Sequence, residues 1–219
     1  MSTVYGIYGA SGFGKEVLPL VKQQFGNDAE IFFVDDGDVP DELLGCVVLN
    51  FNQFVNLEGK KAVTIAIANS RVREKLTLKC LENRVEVFDV KASNVLALEN
   101  VKMGIGSILC PFVTLTSDIT IGKSFQANLY SYVAHDCVIG DFVTFAPAVK
   151  CNGNVHIGDH VYIGTGAIIY QGKPNRPLKI GKGAVLAAGA VVTKSVPEGM
   201  TVFGNPAIEL TKENVKRRM

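Results

Sequence analysis

The sequence predicts an α/β region followed by a solenoid of short parallel β-strands. Over residues 1–90, apolar strand-like runs alternate with helical patterns. From about residue 100 the helical patterns disappear and a period of six takes over. The pair Ile-Gly returns at 121, 139 and 157, a spacing of eighteen. We therefore divide the chain into two domains, residues 1–90 and 91–219.

The N-terminal region has the alternating pattern of a small parallel sheet. The run "TVYGIYG" predicts a strand that stops at Gly9, and "KEVLPLVKQQFG" predicts a helix that ends at Gly26. Pro19 lies inside this pattern, so we expect a late start or a kink. The runs "EIFFVDD", "KAVTIAIANS" and "VEVFDV" predict further strands, with the helix "RVREKLTLKCLEN" before the last. Alternation of this kind implies parallel pairing and right-handed crossovers.

The second region is written most simply in sixes. From Ile121 it reads IGKSFQ, ANLYSY, VAHDCV, IGDFVT, FAPAVK, CNGNVH, IGDHVY and IGTGAI. Three sixes make one coil of three short strands, with positions one and five pointing inward. Glycine at position two suits tight or unusual backbone conformations. The segment "IYQGKPNRPLK" interrupts the repeat, and Ile105-Gly106 precedes Ile121 by sixteen residues, so we expect one irregular coil.

Composition excludes several classes of protein. Apolar residues make up 47% and charged residues 20%, with a net charge of +1, which is typical of a soluble globular chain without a nucleic-acid-binding face. The five cysteines are odd in number and lack a C-x-x-C pair, which favours reduced thiols over a disulfide framework or a metal site. No segment resembles a signal peptide or a membrane span, so we expect a cytoplasmic protein.

The stretch "GASGFGKE", from Gly9 to Glu16, is close to a P-loop. Its spacing satisfies G-x-x-x-x-G-K, but Glu16 stands where a hydroxyl would hold Mg²⁺, so hydrolysis is not expected. A loop between a strand and a helix nevertheless presents open N–H groups to an anion. Asp35 and Asp36 end the next strand, where carboxylates receive hydrogen bonds from ribose or base. The sequence thus predicts a phosphate-plus-nucleoside site; the alternative is a tight turn without ligand.

The sixes resemble the hexapeptide-repeat family, which folds as a left-handed parallel β-helix. Together with a "GASGHG"-type loop, they resemble the nucleotide-sugar N-acetyltransferases of bacterial glycan synthesis, which join a Rossmann-like domain to that β-helix. The resemblance implies a UDP- or dTDP-linked 4-amino-4,6-dideoxy sugar bound by the first domain. It also implies acetyl-CoA along the β-helix, no metal, and a homotrimer with active sites between subunits.

The resemblance also nominates binding residues. Phe13 stands where the family often has His, and "AIANSRVR" resembles the family's "AIGNN-x-x-R" segment. Thr144 stands where many members carry a second histidine. Carried over by motif, the substrate contacts are Gly9, Ser11, Gly12, Phe13, Gly14, Asp35, Asp36, Asn69, Arg73 and Asn128. The coenzyme contacts are Thr144, Gly153, Thr165 and Gly189.

One histidine stands out as a catalytic base. In the six VAHDCV, Val133 and Cys137 take the inward positions and leave His135 pointing outward beside Asp136, which can orient an imidazolium. The stretch "AHDCVIGD" resembles the family's "EHECVIGE", whose histidine is the proposed base. A thiol intermediate at Cys151 is the competing route, but position one should point inward, where cysteine acts as a small hydrophobe.

The expected function is acetyl transfer from acetyl-CoA to the 4-amino group of a nucleotide-linked sugar, with His135 as general base. Two alternatives remain open. One is acetylation of a hydroxyl, as in sialic-acid O-acetyltransferase-like proteins. The other is a β-helical binding or assembly protein without catalysis.

Overall fold

The computed structural model describes residues 2–217. Its first part is a six-stranded sheet with helices. The elements are β1 (Thr3–Tyr8), α1 (Gly12–Phe25), β2 (Ile31–Val34), β3 (Glu42–Leu43), β4 (Cys46–Leu49), α2 (Phe51–Val55), β5 (Lys60–Ile65), α3 (Ser70–Glu82) and β6 (Glu86–Val87). The strand order is β3-β4-β2-β1-β5-β6, and every pair is parallel except β3 with β4. The predicted parallel pairing is confirmed.

Two features of this sheet matter for a ligand. Because β1 pairs with β2 on one side and with β5 on the other, a crevice opens at the carboxyl ends of β1 and β5, the usual ligand position in such sheets. Helix α1 begins at Gly12, earlier than the pattern predicted, and continues through Pro19. The hairpin of β3 and β4 and the short helix α2 were not predicted, because none of them is long enough to show a period.

The remaining described residues form mainly a parallel β-helix. Its successive strands belong in turn to three sheets, which are its three faces. The first face contains β7 (Val90–Lys91), β10 (Ile108–Leu109), β13 (Gln126–Ala127), β16 (Thr144–Phe145), β19 (Tyr162–Ile163), β22 (Val185–Leu186), β24 (Thr201–Phe203) and the antiparallel β25 (Ile208–Glu209). The second contains β8 (Leu96–Ala97), β11 (Thr114–Leu115), β14 (Tyr132–Val133), β17 (Lys150–Cys151), β20 (Ile168–Ile169) and β23 (Val191–Val192). The third contains β9 (Val101–Met103), β12 (Ile119–Ile121), β15 (Val138–Ile139), β18 (Val155–Ile157) and β21 (Leu178–Ile180). A short helix, α4 (Lys212–Lys216), follows.

The register explains the spacing of eighteen and corrects one expectation. Ile121 pairs with Ile139 in the next coil and with Met103 in the preceding one. The pair equivalent to Ile121-Gly122 is therefore Met103-Gly104, and Ile105 is 53% exposed. The expected irregular coil is wrong, because methionine fills the inward position as isoleucine does.

The corners between strands show a role for glycine at position two that differs from the predicted one. Positive φ values near 55–60° recur at position four of each six, in Asp118, Ser124, Tyr130, Asp136, Phe142, Ala148, Asn154 and His160. Gly122, at position two, has no such φ; a Cβ there would lie 2.7 Å from the carbonyl carbon of Gly140 in the next coil. Glycine at position two thus permits the close approach of adjacent coils.

The core of the β-helix follows the predicted inward positions. Val133 and Cys137 are 1% and 0% exposed, and Cys151 is fully buried, as expected for positions one and five. All five cysteines are buried and unpaired. Burial raises the pKa of the Cys110 thiol to about 12, so it stays protonated.

Candidate active site

The glycine loop presents an uncapped helix end. β1 ends at Tyr8, Gly9 turns the chain with φ 117°, and α1 begins at Gly12. The N-cap residue Ser11 makes no side-chain capping bond, and the first turn contains no acidic residue. Gly14 is required by packing, because a Cβ there would clash with the carbonyl oxygen of Gly9. The first-turn N–H groups are therefore open toward an anion, as the sequence predicted.

The two carboxylates after β2 are tied into the protein. Asp35 accepts hydrogen bonds from the backbone N–H of Ala10 at 2.8 Å and of Gly37 at 3.0 Å, so it holds the glycine loop in place. Asp36 accepts from Tyr8 Oη, Lys79 Nζ and the N–H of Phe51. Their predicted role as nucleoside contacts stays a prediction.

These bonds also set the charge of the Asp36 cluster. Burial raises the pKa of Asp36, but the hydrogen bonds from Lys79 and Tyr8 outweigh burial and lower it from its ordinary value. Desolvation, followed by the hydrogen bond to Asp36, raises the pKa of Tyr8. Asp36 is thus an anion held between a phenol and an ammonium group near the carboxyl end of β1.

A cleft of about 320 Å³ separates the glycine loop from the β-helix. Its α/β wall is formed by Gly12, Phe13, Glu16 and Ala68. Its β-helix wall is formed by Gln126, Asn128, Thr144, Phe145, Ala146, Pro147, Tyr162 and Thr165. The cleft joins the predicted nucleotide contacts Gly12 and Phe13 to Asn128, and to Thr165 from the coenzyme set. It runs from the first face to the corner between the first and second faces.

The structure gives Arg73 a role different from the predicted one. The prediction made it a nucleotide contact, but its side chain is fully buried between the α/β region and the β-helix. Its guanidinium donates to the carbonyl oxygens of Ile67 at 2.7 Å, Ser124 at 3.1 Å and Phe142 at 2.7 Å, among others. Burial lowers its pKa to about 9, which still leaves it charged at neutral pH. Arg73 joins the two domains and has no donor left for a nucleotide.

Asn69 has a local role. Its side-chain oxygen caps α3 by accepting from the N–H groups of Arg71 and Val72, both at 3.1 Å. The capping bond accounts for this residue without a ligand, and a nucleotide contact stays a prediction.

The hydroxyl of Thr144 is hydrogen-bonded within the protein. Its hydroxyl accepts from Arg73 Nη2 at 3.0 Å and donates to the carbonyl oxygen of Ala68 at 3.1 Å. The side chain is 5% exposed in the cleft wall. Because the hydroxyl proton is donated to Ala68, the Thr144 side chain has no further proton to donate, and its predicted contact with the coenzyme stays a prediction.

His135 lies on the corner between the second and third faces, outside the cleft. Its Nδ1 is 2.7 Å from Asp136 Oδ2, and both side chains are more than half exposed. In the next coil lies Gly153, where a Cβ would be only 2.5 Å from Nε2 and 2.6 Å from Cε1. Gly153 has an ordinary φ, so a side chain at this position would meet the imidazole ring without straining the backbone, and the half-exposed ring would have to move. One edge of the ring contacts the carboxylate of Asp136, and the other edge lies against the backbone of Gly153.

The insertion in the repeat supports the same corner. The N–H of Gly172 donates to the carbonyl oxygen of Gly153 at 2.9 Å, and Asn154 Nδ2 donates to the carbonyl oxygen of Lys173 at 2.7 Å. The segment "IYQGKPNRPLK" is therefore anchored directly beside the turn that carries the imidazole.

The predicted residues fall into two groups within one chain. Asn128 and Thr165 lie on the corner between the first and second faces, as does Gly189, whose N–H bonds the carbonyl oxygen of Thr165. His135, Asp136 and Gly153 lie on the next corner. The strand β14 of the second face separates the two corners, so the imidazole and the cleft of one chain do not meet.

Two further findings concern residues 2–217. They contain no group of three or more His, Cys, Asp or Glu side chains placed to hold a metal ion. None of their helices is both long enough and apolar enough to cross a membrane.

Comparison with known proteins identifies the family. Residues 6–80 match the family model described as the PglD N-terminal domain. The GDP-perosamine N-acetyltransferase of Escherichia coli O157:H7 is 48% identical over 214 residues, which cover 95% of this chain and 97% of the relative. The chain belongs to the nucleotide-sugar N-acetyltransferases of the hexapeptide-repeat family. It is an acyltransferase.

Solved structures support this membership. WeeI from Acinetobacter baumannii AYE is 58% identical, with a TM-score of 0.94, and the match covers 95% of this chain and 100% of that one. The acetyltransferase domain of PglB from Neisseria gonorrhoeae FA1090, in complex with acetyl coenzyme A, is 27% identical with a TM-score of 0.84 over 96% of this chain and all of that one. The N-acetyltransferase fold therefore extends over nearly the whole length of the chain.

Sequence reasoning missed one residue of the cleft in this N-acetyltransferase. Glu16 was considered only as a mismatch to the P-loop, yet it lines the cleft with Gly12 and Phe13. The signal was available, since residues four apart on a helix share a face and Gly12 is four residues before Glu16. No comparable sequence pattern predicts the hydrogen bond from Arg73 to Gln126, which also lines the cleft.

Proposed function

We propose that this chain transfers the acetyl group of acetyl-CoA to the amino group of a nucleotide-linked amino sugar. Membership of the family supports the reaction class, and the 48% identical relative favours a GDP-linked 4-amino sugar as the first substrate to test. UDP- and dTDP-linked 4-amino-4,6-dideoxy sugars are the alternatives. The complex of the related PglB domain supports acetyl-CoA as donor. The observation that carries the proposal is the imidazole of His135 held by Asp136 above Gly153.

The two domains divide the work in this proposal. Residues 1–90 hold the nucleotide sugar, with its diphosphate at the open first turn of α1 and its nucleoside toward Asp35 and Asp36. The second domain contains the β-helix, left-handed in this proposal, with acetyl-CoA along it. Thr165 and Gly189 support this placement of the coenzyme, because they lie in successive coils on one corner.

The chemistry needs one base and one donor. With Nδ1 directed at Asp136, the lone pair of Nε2 is free to accept a proton. The amine nitrogen bonds to the thioester carbonyl carbon and loses its proton to Nε2. The C–S bond then breaks, and the proton passes from Nε2 to the sulfur of coenzyme A. A positioned base of this kind contributes roughly 10²–10⁴-fold.

The developing oxyanion needs a hydrogen-bond donor, and Gly153 is the candidate. Its N–H has no hydrogen-bond partner among the described residues, and its Cα supports the ring edge that contains Nε2. A backbone N–H beside the base is suited to a tetrahedral intermediate, because it costs no reorganisation during the reaction.

Assembly completes the site. Since the cleft and His135 lie on different corners, we place His135 of a second copy at the cleft, in a cyclic homotrimer with its axis along the β-helix. Asn128 and His135 belong to the same coil, and rotation about such an axis keeps equal heights. Each site would thus combine one copy's cleft with its neighbour's base.

The test is release of coenzyme A thiol with GDP-, UDP- and dTDP-linked 4-amino sugars and with sialic acid, and mass analysis of the product. We expect turnover on one nucleotide amino sugar and a loss of about 10²–10⁴-fold in His135→Ala. His156→Ala is the matched control, since it removes a histidine from the third face in the next coil. Turnover on sialic acid alone would overturn N-acetylation, and full activity of His135→Ala would overturn the base.

A further inference from the structure

Glu16 is the charged group of the cleft. Among the described residues that line the cleft, no other side chain carries a charge. Within residues 2–217 its carboxylate has no hydrogen-bond or ion-pair partner, unlike Asp35 and Asp36, whose oxygens are engaged by the protein. Glu16 is exposed at the edge of the cleft, and its unpaired carboxylate is free to bind a cationic group of a ligand.

The distance between Glu16 and the open N-terminal end of α1 limits which ligand groups the two can bind at once. Gly12 and Glu16 are four residues apart on α1, so they share a face and are separated by about 6 Å along the axis. The first-turn N–H groups attract an anion at one end of this face, and the carboxylate attracts a cation at the other. The separation is about the width of one pyranose ring.

Glu16 also faces the β-helix. The described residues of the β-helix wall, Asn128 and Thr165 among them, have neutral side chains. Glu16 itself belongs to the α/β wall of the same cleft. The carboxylate therefore borders the space in which the sugar would lie between the two walls.

We propose that Glu16 selects an amino sugar over a hydroxyl sugar by binding the ammonium form of the acceptor nitrogen. The inference rests on the proposed function and deepens it, because it names the residue that reads the acceptor. The ammonium group donates to Glu16 on binding and then passes one proton to bulk water, so that the neutral nitrogen attacks the thioester. A hydroxyl at the same carbon offers no charge and gains much less from the carboxylate.

Calorimetry in the absence of acetyl-CoA tests the inference, because no chemistry then intervenes. The ligands are GDP-perosamine and the GDP-sugar that has a hydroxyl in place of its amine, each titrated into wild type and Glu16→Gln. We expect Glu16→Gln to bind the amino sugar about tenfold more weakly when the amine is protonated. This difference should vanish at pH values above the pKa of the amine. The hydroxyl sugar should bind both proteins equally.

The matched control is Glu30→Gln, which removes an exposed carboxylate at the opposite end of β2 and should change neither affinity. Equal weakening for both sugars, or weakening that persists at high pH, would overturn charge recognition in favour of a hydroxyl contact. Unchanged binding by Glu16→Gln with an active wild type would overturn the inference alone. A wild type that acetylates no nucleotide amino sugar in the thiol assay would overturn the proposed function, and the inference with it.

Discussion

The ring of His135 has a different neighbour on each edge. Asp136 bonds Nδ1, and Gly153 of the next coil leaves space at Nε2. Aspartate or glutamate could each provide the carboxylate. Any residue other than glycine at position 153 would place a Cβ 2.5 Å from Nε2 in the present position of the ring. The position of the proposed base therefore depends on the absence of a side chain at Gly153 as well as on the carboxylate of Asp136.

Replacing Gly153 with alanine should move the base without unfolding the protein. The new Cβ would lie 2.5 Å from Nε2, so the ring must swing away, while the ordinary φ of Gly153 accepts an L-residue. We expect kcat to fall by about 10²-fold with KM for acetyl-CoA little changed. The control is Gly12→Ala, whose Cβ would enter open space. A Gly153→Ala protein with wild-type kcat would contradict the role given to this contact.

His160 gives a prediction about pH and stability. Its side chain is 5% exposed, stacks on Phe142 at 5.4 Å and leaves Nδ1 without a partner. Desolvation, helped by Arg71, lowers its pKa despite the nearby carboxylates of Glu74 and Asp159. The unfolded chain therefore takes up a proton first as pH falls below about 6.5, and the folded state loses stability there.

The variant His160→Phe keeps a flat ring against Phe142 and removes the titration. We expect its urea midpoint to change less between pH 7 and pH 5 than that of the wild type, because only the wild type loses stability through this imidazole as the pH falls. An identical pH dependence in both proteins would contradict a neutral, buried imidazole.

At the scale of elements, the first turn of α1 makes the next prediction. An aspartate at Gly12 would enter open space and would favour the positive end of the helix, so it should not lower the melting temperature. The same carboxylate would repel a diphosphate from the open N–H groups. We expect Gly12→Asp to raise KM for the nucleotide sugar more than about tenfold, while Gly12→Ala stays close to wild type. Equal KM values for both variants would place the phosphates elsewhere.

Arg73 makes α3 the link between the two domains. Removing its guanidinium leaves carbonyl oxygens of Ile67, Ser124 and Phe142 without this donor in a buried interface. We expect Arg73→Met to lose at least about 2 kcal/mol in urea unfolding. The control is Arg71→Met on the same helix, whose side chain is 62% exposed and which should stay within about 0.5 kcal/mol. Equal stability of the two variants would contradict the linking role.

At the scale of the whole molecule, alternation predicted the parallel sheet and the period predicted the three-strand coils, while the left-handedness came from the family resemblance and stays a prediction. Backbone pairing repeats the spacing of eighteen, and Val133, Cys137 and Cys151 point inward as their positions in the six required. The Met103-Gly104 coil was misread because a motif search favours the letters Ile-Gly over the inward apolar position that they represent.

The candidate site was less predictable, for a physical reason. The identity of Arg73 as a substrate contact or an interdomain link depends on how two domains pack, which no local pattern encodes. The same packing makes Glu16 part of a cleft and engages the hydroxyl of Thr144. His135 beside Asp136 was predictable, because both lie within one six and need no distant partner to be placed.

The central claim is that each active site takes its base from one copy and its cleft from another. It is tested most directly by mixing subunits of His135→Ala, which lacks the base, with subunits of Gly12→Asp, which lacks the anion site. After joint unfolding and refolding in equal amounts, random cyclic trimers should recover about one quarter of wild-type thiol release, because each shared site needs one intact part from each neighbour. Activity no higher than that of the two variants alone would contradict the account and place the base and cleft of each site within one chain.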